Sequence, residues 1–355
     1  MKLFITGASG FLGQYVVAAA LRQGHEVMAV VRAKTQIERF SWHSHPRLSI
    51  VRHDLRVGRG LADALGSADV VIHLAATKAG DFYTQFGGTV LATENLLRAM
   101  AERNVQRLVA ISTFSVYDNQ AMRTGQLLDE TAPTVSDAKN RDEYAQTKRI
   151  QEQLYRDFEQ SRQAQVTILR PGMIYGRDCL WHALIGAEFG SRWVKVGGRG
   201  QLPMIYVENC AEAIVRTVDQ PAAWGQTLNL VDDDLPTVDA YTQQVLDTGC
   251  SPHRLAVSWA FVRALAGLAW WVNQTWLGGQ AKLPGILVPA KVHGRFKPLR
   301  YTNTQAKQVL GWQPQYDMKT AFARSCCDRD LLTVTPIAEP LSLPVRRERS
   351  KAAAR

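Results

Sequence analysis

Short apolar runs alternate with helix-spaced stretches along the first half of this chain. Leu3-Phe4-Ile5, Glu26 to Val31, Leu48 to Arg52, Asp69 to Ala76, Gln106 to Ser112 and Val166 to Leu169 read as strands. Tyr15 to Leu21 and Leu91 to Arg103 read as helices between them. Nearly continuous apolar strands separated by helices predict an α/β fold with a parallel, doubly wound sheet covered on both faces. In such a sheet ligands sit outside the carboxyl ends of the strands.

One segment breaks the pattern. Leu255 to Leu277 is apolar almost all round, with Arg263 as its only formal charge and four of the chain's nine Trp: Trp259, Trp270, Trp271 and Trp276. Its length approaches that of a bilayer span. Three readings stay open: a core helix, a greasy wall beside a substrate, or an interfacial helix lying on a membrane. A true span is disfavoured by Arg263 well inside it.

The first strand runs into Thr6-Gly7-Ala8-Ser9-Gly10-Phe11-Leu12-Gly13. Gly7 permits a tight turn, Gly10 lets a pyrophosphate approach the backbone, and Gly13 lets the next helix pack close to the sheet. The N-terminus of that helix offers free N–H groups and a positive dipole to phosphate. Gly7, Ser9, Gly10, Phe11, Leu12 and Gly13 are therefore candidate dinucleotide contacts. The second strand ends Val30-Val31-Arg32-Ala33-Lys34, without the acid that would accept the ribose 2′-hydroxyl of NAD. A guanidinium at Arg32 forks onto a 2′-phosphate, which favours NADP over NAD. Stacking of Arg32 on adenine, which NAD also allows, stays open.

Tyr144-Ala145-Gln146-Thr147-Lys148 places a tyrosine and a lysine on one helix face. A phenol is a serviceable acid near neutral pH, and a lysine one turn away stabilises its phenolate. The strand ending at Ile111 leads into Ser112-Thr113-Phe114-Ser115-Val116-Tyr117, a source of hydroxyls for a substrate oxygen that gains charge.

The glycine turn with G-x-x-G-x-x-G spacing and the later Tyr-x-x-x-Lys together resemble the short-chain dehydrogenase/reductase superfamily, extended branch. Within that branch the chain resembles the NAD-dependent epimerase/dehydratase family. Tyr206-Val207-Glu208-Asn209 resembles its 3β-hydroxysteroid dehydrogenase-like members, and the likeness runs from Met1 to Trp312. The resemblance implies a Rossmann-type sheet with a smaller C-terminal substrate lobe. It implies catalytic roles for Thr113, Tyr144 and Lys148, with Ser112 as the fallback for Thr113 and Ser115 as a weaker choice. It implies cofactor contacts from Asp54 and Leu55, from Leu74, Ala75 and Ala76, and from Tyr144, Lys148 and Pro171 in the Arg170-Pro171-x-x-x-Tyr175-Gly176 turn. Asp118 stands where the branch has a closing glycine, and Thr89 where it has a helix asparagine. Phe114-Ser115, in place of Asp-Glu after the catalytic threonine, argue against dehydration chemistry.

On this basis residues 1–175 are expected to form mainly the nucleotide domain and 176–315 mainly the substrate lobe, with 204–231 returning to the Rossmann sheet. Residues 316–355 are expected to form a C-terminal extension, flexible from about 336. The leading function is an NAD(P)-dependent oxidoreductase on the carbonyl/alcohol pair of a lipophilic small molecule. A nucleotide-sugar epimerase with retained NAD and a non-catalytic NADP-binding regulatory or assembly protein are the alternatives.

Composition adds limits. The 355 residues, 46% of them hydrophobic, suit one large α/β unit with a smaller lobe. Of the formal net charge of +10, the tail Val345 to Arg355 contributes five Lys/Arg against one Glu. The expected partner is a small, largely apolar molecule, with no specific nucleic acid; peripheral membrane contact and a homodimer stay open. Cys179, Cys210, Cys250, Cys326 and Cys327 have no metal-ligand spacing and fit a reducing cytoplasm, so no metal is expected. The early first strand leads us to expect no signal peptide and a cytoplasmic, possibly membrane-associated, location.

Overall fold

The computed structural model describes residues 1–136, 141–180, 185–189, 192–248, 253–278, 281, 283–326 and 329–333. The C-terminal tail, Cys250 and Cys327 lie outside the described residues. Seven strands form the central sheet: β1 (Lys2–Thr6), β2 (Glu26–Val31), β3 (Leu48–Arg52), β4 (Val70–His73), β5 (Arg107–Ile111), β6 (Gln165–Pro171) and β7 (Thr227–Leu230). Their spatial order is β3-β2-β1-β4-β5-β6-β7, and every pairing is parallel. The order reverses direction beside β1, where an open sheet of this kind leaves a crevice.

Alternation within β1 sends Leu3 and Ile5 to one face and Phe4 to the other. The first face packs on α1 (Phe11–Arg22) and on α4 (Val207–Val218). The second packs on α2 (Ala92–Glu102) and α3 (Glu143–Arg162), through Leu96 and Met100 on one helix and Tyr155 and Phe158 on the other. Both faces are thus buried, which is why the strands read as continuous apolar runs.

The strand expected over Asp69 to Ala76 ends at His73, and Leu74 to Ala76 leave the sheet towards the cleft described below. A π-turn over Gly87–Leu91 precedes α2. Met204–Tyr206 does not join the central sheet; it pairs in parallel with Met173–Tyr175, and β7 is the strand that returns.

The apolar run from Leu255 divides in two. His253–Val257 is a strand, parallel to Arg192–Val196. Ser258 then caps α5 (Trp259–Trp276), its hydroxyl accepting from the Phe261 N–H at 3.2 Å. The core-helix reading fails: only Val262, Ala266 and Asn273 of α5 are buried. A short helix, α6 (Pro289–Phe296), packs beside it through Val292 and Phe296.

Candidate active site

Gly7 sits at φ +70°, and a Cβ there would lie 2.9 Å from the Ala75 nitrogen. A Cβ on Gly13 would lie 2.1 Å from the Gly7 carbonyl oxygen, so α1 can approach the turn only without one. Gly10 is the N-cap of α1 and provides no side-chain acceptor. By contrast Asp142 caps α3 and Ser258 caps α5. The first N–H groups of α1 are therefore left to a ligand, and they border an open cleft of about 1550 Å³. This is the cradle that a dinucleotide pyrophosphate requires, so the residues present fit NAD(P).

Gly7, Gly10, Phe11, Leu12 and Gly13 line this cleft, as do Leu74, Ala76 and Pro171. Thr113, Tyr144 and Lys148 line it as well, so the structure brings the predicted nucleotide turn and catalytic trio to one opening. Ser9 and Arg32 border a second cavity of about 300 Å³, with Lys34, Thr35, Gln36 and Arg39; Gly10 belongs to both. Three predicted residues line neither cavity. The Asp54 carboxylate accepts from Arg56 Nε at 3.0 and 3.1 Å, and this guanidinium holds its pKa down at about 2. Leu55 is buried in the core. Ala75 backs the glycine turn, its N–H donating to Thr6 Oγ1 at 3.3 Å.

Lys148 is fully buried. Its Nζ donates to the Ile111 carbonyl at 2.5 Å and to Gln151 Oε1. Burial pulls the pKa of its ammonium down to about 7; Glu152 opposes the shift and Lys78 adds to it. The Gln151 amide in turn donates to Thr93 Oγ1 at 2.7 Å, and the Thr93 hydroxyl donates to the Thr89 carbonyl at 2.6 Å. With that hydrogen committed, Thr93 must accept from His73 Nε2 at 2.9 Å, which leaves His73 Nδ1 to accept from the Thr6 hydroxyl at 2.6 Å. Burial holds the His73 pKa down at about 3, so the ring is neutral. Thr89, in the family's asparagine position, accepts from the Thr77 N–H at 3.0 Å.

One residue after Gln151, Glu152 receives Arg170 bidentately at 2.9 and 2.8 Å. Arg170 thus points away from the cleft and ties the end of β6 to the catalytic-face helix. Its guanidinium also lies 4.7 Å from the Tyr117 ring centroid. Thr113 is extended, its Oγ1 accepting from the Ser115 N–H at 3.3 Å, while Ser112 is buried beside Glu152. Asp118 closes its loop by accepting from the Gln120 N–H at 3.1 Å. Gln151, Thr93 and His73 were not singled out from sequence. The available signal was the helix face Tyr144, Lys148, Gln151 and Tyr155, spaced four, three and four.

Of the four Trp in the apolar segment, only Trp259 lines the cleft. Trp271 and Trp276 are exposed.

A glycine turn opening on the same cleft as a Tyr–Lys pair one helical turn apart is the layout of the short-chain dehydrogenases/reductases. The model of the NAD dependent epimerase/dehydratase family matches residues 3–230. A 3-beta-hydroxysteroid dehydrogenase of Mycolicibacterium neoaurum is 30% identical over 351 residues, covering 91% of this chain and 89% of that protein. A 4-hydroxy-2-methyl-3-oxo-4-farnesyl-3,4-dihydroquinoline-1-oxide ketoreductase of Stigmatella aurantiaca is 27% identical, over 88% of this chain and 92% of its own length. Among solved structures, UDP-glucuronic acid 4-epimerase of Bacillus cereus with NAD superposes with a TM-score of 0.68 at 19% identity, over 93% of this chain and 98% of that one, and shares the fold. The chain belongs to the NAD dependent epimerase/dehydratase family and is by class an NAD(P)-dependent oxidoreductase.

Proposed function

We propose that this protein interconverts a carbonyl and an alcohol on a small, largely apolar molecule, with NADP as its preferred carrier. The observation that carries the reading is that Thr113, Tyr144 and Lys148 share one cleft with Phe114, Leu128, Val257, Trp259, Phe296 and Tyr301. Such a lining suits an apolar body oriented by a few polar groups. The relatives named as a steroid dehydrogenase and a farnesyl-quinoline ketoreductase favour the same substrate class.

In this reading the turn from Gly7 to Gly13 and the N-terminus of α1 hold the pyrophosphate, and Leu74, Ala76 and Pro171 border the rest of the cofactor. Ala75, Leu55 and Asp54 support the adenosine side. Arg32, Lys34 and Arg39 around the smaller cavity, which contains no acid, would receive a 2′-phosphate. Bound NAD(P) supplies or accepts the hydride. Tyr144 gives its phenolic proton to the carbonyl oxygen, or takes one from the alcohol. Lys148 stabilises the phenolate, and Thr113 donates to the substrate oxygen as charge gathers there.

One observation favours a second reading. Lys78, Arg199 and Arg295 also line the cleft, and such cations would suit the diphosphate of a nucleotide sugar. An epimerase would retain NAD through turnover. Denaturing the purified protein and identifying the released nucleotide separates the two: retained NAD together with turnover of a UDP-sugar would replace the reductase reading.

The direct test is Tyr144→Phe. NADPH binding should stay within about twofold, and turnover should fall on the order of 100-fold or more. Near-normal turnover would remove Tyr144 as proton donor.

A further inference from the structure

α5 presents two distinct sides by its spacing. Val262, Ala266 and Asn273 are buried on one side. Phe261, Leu265, Leu268, Val272 and Trp276 recur at intervals of four, three, four and four, so they share another face. These are not grazing exposures: Phe261 is 61% exposed, Leu268 59%, Trp271 55% and Trp276 76%. Leu277, just past the end of the helix, is 52% exposed as well. Over 18 residues the ridge is about 27 Å long. Scattered apolar residues on a surface need no explanation, but a contiguous ridge of this kind marks a contact.

The charge around the ridge selects the occupant. Between Asp247 and Asp317 the chain has no Asp or Glu and eight Lys or Arg; of these, Lys307 pairs with Asp233 and Lys297 is buried against the Gln120 and Met122 carbonyls, so neither adds to a free basic rim. On α6, which packs beside α5, Arg295 is exposed and Lys291 is half-buried, and neither forms an ion pair with a described residue, whereas Arg263, two residues on from Phe261, faces away from the ridge. A second copy docking ridge to ridge would bring two such basic rims together. An anionic surface would neutralise them. No described helix is long and apolar enough to cross a membrane, so the ridge would lie along the surface.

We propose that α5 seats this apolar face in the interfacial layer of an anionic lipid bilayer, with Lys291 and Arg295 of the adjoining α6 meeting the headgroups. Trp and Leu side chains supply the apolar contact, and the long basic side chains reach the phosphates. The first turn of the same helix, Ser258, Trp259 and Ala260, lines the cleft, so docking would set the cleft beside the lipid. The docking surface itself is independent of the reaction assigned above.

The test is flotation of the full chain with phosphatidylcholine vesicles, with and without phosphatidylglycerol. The wild type should float with the phosphatidylglycerol vesicles, and raising the salt should weaken this. Leu268→Glu with Trp271→Glu should reduce binding by roughly tenfold or more, because two carboxylates would enter the interface. NADPH affinity should stay unchanged in that variant, which shows that it is folded. A second variant with Arg346, Arg347, Arg349, Lys351 and Arg355 all changed to Gln should still float. Three results would overturn the proposal: no flotation of the wild type with anionic vesicles; loss of flotation in the tail variant but not in the α5 variant; or a lipid-free dimer, seen by sedimentation, that the α5 substitutions dissociate.

Discussion

Lys148 is held between two demands. Its charge is useful beside Tyr144, yet it is fully buried, with the Ile111 carbonyl and Gln151 as its hydrogen-bond acceptors. Its pKa of about 7, against an ordinary value of 10.5, means that it gives up its proton as pH rises through neutrality. Protonated Lys148 stabilises the phenolate left when Tyr144 delivers its proton, so carbonyl reduction should decline as pH rises through about 7. Removing an acceptor disfavours the charged form further. Gln151→Leu should therefore move this limb to lower pH and cost roughly tenfold in kcat/KM at pH 7, with a smaller loss at pH 6. A purely structural role for Gln151 would lower the whole profile without moving the limb, and profiles of both proteins between pH 5 and 9 distinguish the two. Stability carries the opposite sign. The unfolded chain binds the Lys148 proton more tightly, so this group makes folding more favourable as pH rises from about 7 towards 10.5.

Among the elements, the turn between β1 and α1 and the end of β2 carry the sharpest expectations. A Cβ on Gly13 meets backbone, the Gly7 oxygen at 2.1 Å, and backbone cannot swing aside. Gly13→Ala should displace α1 from the turn, cost about 1–3 kcal/mol and weaken NADPH and NADH together; thermal unfolding and cofactor titration check it. Arg32→Asp acts differently. It should invert the preference between the two cofactors, shifting the affinity ratio by a few kcal/mol while leaving stability nearly unchanged. Calorimetric titration of both cofactors decides it, and equal wild-type affinities would restore NAD as the default. These elements were legible in the sequence because their signals are local: a glycine spacing, a missing acid, an apolar run of strand length. The network from Lys148 through Gln151 and Thr93 to His73 was not, since its members come from three elements and none belongs to a local motif. The exposure of α5 was hidden for another reason. An apolar run has the same letters whether it faces a core, a pocket or a bilayer, and only the packing of Val262, Ala266 and Asn273 against the rest of the molecule shows which side is covered.

At the scale of the whole molecule, Tyr206-Val207-Glu208-Asn209 gains a physical meaning beyond its resemblance. Asn209 Oδ1 accepts from the Gln315 and Tyr316 N–H groups at 3.0 and 3.1 Å, and its amide donates to Asp232 Oδ1 at 2.8 Å. Glu208 receives Arg324 bidentately at 2.8 and 2.9 Å and the Tyr206 hydroxyl at 2.6 Å, all buried. The Arg324 guanidinium also lies 4.3 Å from the Tyr316 ring centroid. One turn of α4 thereby fastens the helix Met318–Cys326 onto the central sheet, far along the chain from the nucleotide turn. A buried ion pair gains little over apolar packing of the same shape, but breaking it from one side strands a charge. Glu208→Ala should therefore cost about 3–5 kcal/mol, measured by urea unfolding. Glu208→Leu combined with Arg324→Leu should cost less than Glu208→Ala alone, because no charge is left without a partner. If the double variant instead proves the less stable of the two, the pair is a net stabilising bond of the fold, and its function is cohesion rather than specifying how the C-terminal helix docks.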